Sequence, residues 1–325
     1  MTLGNPLGAG VEQHPDSPPV YAAILTGGAG LWWASESFPA LMSFWMPWDF
    51  SPTIYAAAAL ILLWYIRGLR LAPPRERPLL WRRVVFLFGV AAIYGVLQTR
   101  FEYFSQHMFY LNRMQHVVMH HLGPFLVALG CAGKMIKRGM PPQLQRLAEG
   151  RQVNALMRVL QQPAVAAFLF VGLFYFWLIP AVHFRAMLDA QLYALMNWSM
   201  VLDGILFWWL VLDPRPSPPA RVSFGVRAAL ALGVMFPQIA LGAVITFSRT
   251  DLYPYYDLCG RLFPSISALN DQHIGGIIIW IPPAMMSVIA VLLVINALRL
   301  HEDSITESSD EAQKLARLAS SWTGR

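Results

Sequence analysis

Seven stretches of this sequence are each apolar over about the length that a helix needs to cross a lipid bilayer, which is roughly 20 residues. Inside a bilayer the backbone polar groups must be satisfied within the segment itself, and for apolar runs of this length the helix is the solution. We therefore predict an all-α, polytopic transmembrane bundle of about seven spanning helices. The stretches cover residues 52–71, 81–99, 114–135, 163–182, 190–212, 222–248 and 273–298.

The low content of charged residues also indicates that the protein is surrounded by lipid. Only 13% of the 325 residues are charged and 56% are hydrophobic, whereas soluble domains carry about 25% charged residues. Polar side chains are too few to cover a water-facing globule of this size. We predict a multi-pass protein of the bacterial inner membrane, in contact with the lipid bilayer.

The distribution of Lys and Arg predicts the orientation. Of the 24 cations, 19 follow the first, third, fifth or seventh apolar stretch, and five lie in the alternate loops. Because cytoplasmic loops carry the excess of Lys and Arg, we predict the N-terminus outside and the C-terminus in the cytoplasm. The net charge of +6 is thus explained by topology, and an acidic tail after residue 301 also argues against a nucleic-acid partner.

The N-terminal stretch 20–48 is apolar but is interrupted by Glu36, Pro39 and Pro47. It could form an eighth span. Its four Trp residues favour a membrane–water interface, so we expect a segment on the outer surface. The predicted organisation has three parts: a periplasmic or interfacial N-terminal segment 1–50, a seven-helix transmembrane domain 51–299 and a cytoplasmic tail 300–325.

Histidines gather on the outer side of this topology. His116 and His120 are four residues apart, so a helix would present both imidazoles on one face. Neutral imidazole binds zinc, copper and iron. The topology sets His107, His183 and His273 at the same depth, where one of them could supply a third ligand. We predict a metal site formed from these five histidines, while capping or hydrogen bonding remains an alternative for each.

Methionines accompany these histidines, and thioether sulfur favours copper(I). Copper is therefore the favoured ion and would bind transiently, although haem is left open. Packing remains the alternative for the sulfur side chains, among which we expect Met108 or Met114 to be the ligand. The methionines concerned are Met108, Met114, Met119, Met187, Met196 and Met200.

Four further polar residues could support such a site. Asp203 lies near the middle of the fifth apolar stretch, and an ionisable group at that depth is a functional candidate that should face the bundle. Asp271 precedes the seventh stretch and could cap its helix. Gln115, Asp271 and Gln272 could each fix the ring of a ligand. No nucleophile elbow, catalytic triad or nucleotide-binding loop is present, so we predict that the protein is not an enzyme.

Several short motifs, in order between about residues 48 and 298, resemble those of the CtaG-type cytochrome c oxidase assembly factors. The resemblance implies a seven-helix membrane protein that helps deliver copper to haem–copper oxidases, with oxidase subunits and periplasmic copper carriers as partners. Where that family carries histidine, this chain has Asn112, Leu178, Tyr193 and Asn197. The motifs are Tyr65-Ile66-Arg67-Gly68, Met114-Gln115-His116, Gly123-Pro124, Trp177-Leu178-Ile179-Pro180, Gly204 to Trp208, and Asp271 to Gly276 with Trp280 and Pro282.

We therefore expect a membrane-bound cytochrome c oxidase assembly factor that handles copper at the periplasmic face. Three alternatives stay open. A copper transporter would need polar residues through the whole membrane core. A haem- or quinone-linked redox protein would need histidines paired at matching depths. The third alternative is an assembly scaffold without a metal.

Overall fold

The computed structural model describes residues 18–323, and these residues form helices and connecting loops without any strand. Five helices within this range are long and apolar enough to cross a membrane, and the number rises to seven when each of two bent helix pairs counts as one span. The prediction of an all-α bundle with about seven spans is confirmed.

The helices follow the predicted apolar stretches within a few residues, with short helices between them. In chain order they are α1 (Pro18–Ser37), α2 (Pro52–Leu71), α3 (Leu80–Gln98), α4 (Arg100–His107), α5 (Phe109–His116), α6 (Gly123–Leu129), α7 (Gly133–Gly139), α8 (Pro142–Ala148), α9 (Arg151–Leu160), α10 (Pro163–Leu178), α11 (Pro180–Leu188), α12 (Ala190–Val211), α13 (Phe224–Phe247), α14 (Tyr255–Leu258) and α15 (Ala268–Thr323). Two 3₁₀ turns cover Pro39–Leu41 and Pro74–Glu76, and a π-helical turn covers Val117–Leu122.

Successive loops lie at opposite ends of the bundle. At one end, Gln98 after α3 exchanges two hydrogen bonds with the backbone of Ser51 before α2. At the other end, Glu76 after α2 accepts from Arg138 at the end of α7. We call the end that carries loops 72–79, 130–162 and 212–223 the cation-rich face, and the opposite end the cation-poor face.

The third span is interrupted. Residues Phe109–Leu129 run as α5, the π turn and α6, and the chain then bends by 79° into α7. A π turn shifts the side chains that follow it around the helix axis, because it holds more residues per turn than an α-helix. The turn contains His120 and His121, so it decides where these rings point.

The helix α1 differs from the expected surface segment. It packs along α2, where the Tyr55 hydroxyl donates to the Ile24 carbonyl and Trp64 Nε1 donates to the Tyr21 hydroxyl. Gly28 explains the fit, because a Cβ there would lie 2.8 Å from the Tyr55 ring. Only the segment after α1 lies across the cation-poor face. Residues 1–17, which include part of the predicted N-terminal segment, lie outside the described residues.

The boundary predicted at residue 300 is not a helix end. The helix α15 continues from Ala268 to Thr323 without a break. Glu302, Asp303, Glu307 and Asp310 on it are exposed, and residues of this kind, unlike Gly or Pro, are compatible with a solvated helix. The predicted tail is therefore the end of the last helix.

Two apolar layers fill the centre of the bundle, and a third cluster with Tyr65, Phe86 and Met135 joins α2 and α3 to α7. The layer toward the cation-rich face packs Phe125, Phe170, Phe207 and Trp208 against the middle of α13 and α15. The layer toward the cation-poor face contains Phe109, Phe174, Trp177 and the loop tyrosines. Polar side chains are buried among the residues of this second layer and at the junction of the two.

Candidate functional site

A set of buried polar side chains runs from the cation-poor face to the middle of the membrane, and we call it the polar column. Each member is at most 6% exposed. Burial of so many polar groups costs free energy unless they bind one another or a ligand. The members are Asn112, Arg113, His116, His120, His121, His183, Asp203 and Gln238.

The deepest part of the polar column is a chain of four side chains. His120 Nε2 lies 3.2 Å from Asp203 Oδ2, and His120 Nδ1 lies 3.2 Å from His121 Nδ1. His121 Nε2 in turn lies 3.3 Å from the side-chain amide of Gln238. Asp203 is thus turned into the bundle, which confirms the prediction made from its depth.

One arrangement of protons satisfies every hydrogen bond among these four side chains while both histidines remain neutral. His120 donates from Nε2 to Asp203, and His121 donates from Nδ1 to His120. The Gln238 amide nitrogen has no partner as placed, and rotation of the amide by 180° lets it donate to His121. Both ring nitrogens of His120 are then used in hydrogen bonds.

The helices around this chain approach closely. A Cβ at Gly204 would overlap the carbonyl oxygen of His120, so glycine permits the contact between α12 and the π turn. The His120 ring stacks on Phe170 and Phe174, with centroid distances of 4.2 and 5.7 Å. This packing fixes the ring and excludes water from the buried carboxylate.

His116 has no hydrogen-bond partner at either ring nitrogen among the described residues, and it is 1% exposed. His183 is also fully buried; its Nε2 lies 3.0 Å from the Tyr256 hydroxyl, and its Nδ1 has no partner. With the Nε2 proton donated to Tyr256, the Nδ1 lone pair of His183 is free. Two buried imidazoles therefore offer unused lone pairs.

The faces that carry these two histidines are turned toward each other. Asn112 and His116 are four residues apart on α5, and His183 and Met187 are four residues apart on α11, so each pair shares a helix face. Asn112 Nδ2 contacts Met187 Sδ at 3.9 Å across the two helices. His183 also lies near α5, with its ring centre 6.2 Å from that of Phe109.

Arg113 sets the electrostatics at this level. Its guanidinium is 1% exposed, lies 5.0 Å from the Phe109 ring centre and donates to the Asn112 side chain. Burial and the neighbouring Arg113 lower the pKa of His183 well below its usual range. His183 is therefore neutral at physiological pH, which is the state that binds metals.

Three of the five predicted ligand histidines contact other groups among the described residues, and their role as metal ligands stays a prediction. His120 lies in the π turn, where its two ring nitrogens contact Asp203 and His121. His107 Nδ1 bonds the Tyr103 carbonyl at 2.8 Å, and His273 Nε2 bonds the Ser248 carbonyl at 3.1 Å. Among the described residues, no three His, Cys, Asp or Glu side chains converge as one metal ion requires.

Five of the six noted methionines are buried, four of them in the apolar layer toward the cation-poor face. Met187 contacts the polar column through Asn112. Met114 is 40% exposed, unlike the other five, and its role as a sulfur ligand stays a prediction. The buried ones are Met108, Met119, Met187, Met196 and Met200.

Three of the four predicted supporting residues, all except Asp203, hold the scaffold of the site. Asp271 accepts from the backbone of Phe109 and Tyr110 at 2.9 and 2.8 Å and pairs with Arg261. It therefore caps α5, not its own helix, because α15 begins three residues earlier. The helices α15 and α5 pack closely here, since a Cβ at Gly275 would overlap the Phe109 ring.

The two glutamines join elements. Gln115 accepts from Ser105 at 2.9 Å and donates to the Val96 carbonyl at 2.7 Å, which ties α3 and α4 to α5. Gln272 accepts from the Leu252 backbone at 2.7 Å and fixes the loop after α13. Neither glutamine bonds a histidine among the described residues.

The spacing that selects His116 and His120 does not select Arg113, His121 or Gln238. The sequence feature that could have identified Arg113 as a member of the site is its position as a lone cation on the cation-poor side of an apolar stretch. The feature that could have identified His121 is the adjacent His-His pair before Gly123-Pro124. Gln238 carries no comparable signal, because a single amide within a long apolar helix is common.

Comparisons with known proteins follow the same segments. A sequence model described as "Cytochrome c oxidase caa3 assembly factor (Caa3_CtaG)" matches residues 63–299. An uncharacterized protein of Mycobacterium bovis and one of Mycobacterium tuberculosis are each 26% identical over 267 residues, which is 77% of this chain and 38% of the relative. One from Mycobacterium leprae is 23% identical over 272 residues, 78% of this chain and 40% of the relative.

This chain therefore spans less than half the length of the curated relatives that it matches. No solved structure matches it. The matched region begins within α2 and ends within α15, so it includes every member of the polar column.

Proposed function

Because this chain belongs to the cytochrome c oxidase caa3 assembly factor family, we propose that it handles copper(I) within the membrane for insertion into a haem–copper oxidase. Copper is the cargo, not a resident cofactor, and the role is not that of an enzyme. Oxidase subunits and periplasmic copper carriers are the proposed partners. The cation-poor face is the proposed periplasmic face.

The two unpartnered ring nitrogens of His116 carry this proposal. Leaving a buried polar group without a partner costs about 1–3 kcal/mol, and His116 leaves two nitrogens unpartnered among the described residues. An apolar side chain at this position would avoid that cost. A soft metal ion that binds imidazole would instead use the free lone pair.

The neighbours of His116 favour copper(I) over a divalent ion. His183 offers a second free nitrogen, and Met187 on the same helix face offers a thioether, a ligand that favours copper(I). The buried guanidinium of Arg113 repels a monovalent ion less than a divalent one. A site of two nitrogens and one sulfur is incomplete, which suits a protein that must release its metal.

The transporter alternative fits the structure less well. On the side of Asp203 and Gln238 that faces the cation-rich end, the bundle is filled by Phe125, Phe207, Trp208 and their apolar neighbours. A cation on its way to the cation-rich face would cross this mainly apolar layer, beside which Ser287 is a buried polar side chain, and an uncompensated ion in an apolar interior is very costly.

Copper binding by the purified protein tests the proposal. We expect the full chain in detergent to compete with a chromogenic copper(I) chelator. His116→Ala should weaken the affinity by roughly tenfold or more, because it removes the residue with two free nitrogens. His107→Ala is the matched control, since its ring bonds the Tyr103 carbonyl outside the polar column.

Two results would contradict copper handling. One is wild-type protein that fails to compete for copper(I). The other is an equal loss of affinity in both variants, which would place the ion elsewhere. In either case the assembly role would rest on a scaffold without a metal, which is the remaining alternative.

A further inference from the structure

A second polar site lies at the cation-poor face, outside the polar column. A cavity of about 310 Å³ opens between the end of α1, the segment that follows it and α4. Three carboxylates and two aromatic rings line it, with no Lys or Arg among the lining residues. We call it the acidic pocket, and the five side chains are Glu36, Asp49, Glu102, Trp48 and Tyr103.

Glu102 is the unusual member of this group. Glu36 and Asp49 are exposed to solvent, whereas Glu102 is only 7% exposed. No hydrogen bond or ion pair to the Glu102 carboxylate is made within residues 18–323. A buried carboxylate without a partner costs substantial free energy, and here it faces a cavity.

The charges around Glu102 do not offset that cost. Burial and repulsion from Asp49 raise the pKa of the Glu102 carboxyl well above its usual value. The neighbouring Arg100 is engaged elsewhere, because it donates to the Met42 carbonyl at 2.9 Å and lies 5.0 Å from the Trp48 ring centre. No Lys or Arg among the lining residues therefore compensates the Glu102 carboxyl group.

The geometry narrows the class of cation that would fit. No three acidic or metal-binding side chains of the described residues converge on one point as a metal ion requires. The Trp48 and Tyr103 rings lie 5.5 Å apart, and aromatic faces attract ammonium and guanidinium groups. A cavity of this volume accepts a side chain or a small amine.

We propose that the acidic pocket binds an organic cation, an ammonium or guanidinium group, through the buried Glu102 carboxylate. The group can be carried by a free small amine or by a Lys or Arg side chain of another polypeptide. The pocket is formed by side chains of α1, the segment that follows it and α4. It shares none with the polar column, so this proposal does not depend on copper.

Calorimetric titration of the full chain in detergent tests the proposal with three probes. The first is n-butylammonium, the second is a capped Gly-Lys-Gly peptide, and the third is the same peptide with norleucine in place of lysine. We expect at least one of the two cationic probes to bind and the norleucine peptide not to bind. Tighter binding of the lysine peptide than of butylammonium would identify a polypeptide as the source, and the reverse a free amine.

Variants identify the site. Glu102→Gln keeps the shape of the side chain and should weaken binding of the cationic probe by roughly tenfold or more, as expected for the loss of a charge-assisted bond. Glu76→Gln is the matched control, because Glu76 lies on the cation-rich face and already pairs with Lys134 and Arg138. Asp49→Asn changes an exposed side chain and should weaken binding by a smaller factor. It still tests the site if Glu102→Gln fails to fold.

Three results would overturn the proposal. The first is wild-type protein that binds neither cationic probe, and the second is norleucine peptide that binds as tightly as lysine peptide. The third is binding that is unchanged in both Glu102→Gln and Asp49→Asn. Loss of probe binding with intact copper(I) binding would separate this site from the one in the polar column.

Discussion

Asp203 joins α12 to the π turn through a single buried contact with His120. Replacement by Ala would leave His120 Nε2 without its partner in a site that water does not enter. We expect Asp203→Ala to lower the free energy of unfolding by about 1–3 kcal/mol, measured by denaturation in detergent. Asp203→Asn keeps an acceptor and should lower it by less.

The lipid-side neighbour provides the control for that experiment. Leu202 is 52% exposed, so Leu202→Ala should change the unfolding free energy less than Asp203→Ala does. Equal stability of Asp203→Ala and wild type would show that the contact with His120 contributes nothing to the fold.

The sequence predicts some members of the site and not others. Asp203 is recognisable because a polar residue deep in an apolar stretch is costly, and only burial within the bundle makes it tolerable. His116 is recognisable from its spacing of four residues to His120. The contact of His120 with His121 is not recognisable, since the spacing rule assumes a regular α-helix and the chain forms a π turn there. The contact between α5 and α11, which Asn112 and Met187 make, depends on how α11 packs, and no local pattern contains that information.

At the level of helices, Gly204 decides how closely α12 approaches the third span. A methyl group there would overlap the His120 carbonyl, so the two helices would have to move apart. We expect Gly204→Ala to lower the unfolding free energy by about 1–3 kcal/mol, the usual effect of overpacking. It should also weaken copper(I) binding, because the same shift displaces the polar column.

A second glycine separates packing from helix propensity. Gly95 lies within α3 with open space around its missing Cβ. Gly95→Ala should therefore leave stability unchanged or raise it by roughly 0.5–1 kcal/mol, since Ala favours helix more than Gly does. A destabilisation of the same size in both variants would contradict the proposed close contact at Gly204.

Element boundaries are well predicted where the apolar stretches are long, as for α2, α12 and α13. The pattern fails for α1, because its moderate hydropathy does not reveal that Gly27 and Gly28 accommodate Tyr55. It fails again for α15. The change from apolar to charged residues there marks the passage of the helix from lipid into water, and the helix itself continues.

For the whole molecule, the alternating faces and the bias of 19 cations to five predict an orientation with the cation-rich face in the cytoplasm. Reporter fusions after residue 145 should report a cytoplasmic location, and fusions after residues 108 and 262 a periplasmic one. The physical reason is that Lys and Arg near the ends of a span are retained in the cytoplasm. Reversed signals at these positions would place the polar column at the cytoplasmic face and contradict delivery from the periplasm.

The copper content of the oxidase itself tests the account most directly. Cytochrome oxidase would be purified from cells that carry the wild-type protein, His116→Ala or His107→Ala, and its copper-to-haem ratio would be measured. We predict a ratio that falls in the His116→Ala strain and stays at the wild-type value in the His107→Ala strain. The same ratio in all three strains, with equal levels of each variant in the membrane, would contradict copper delivery through His116.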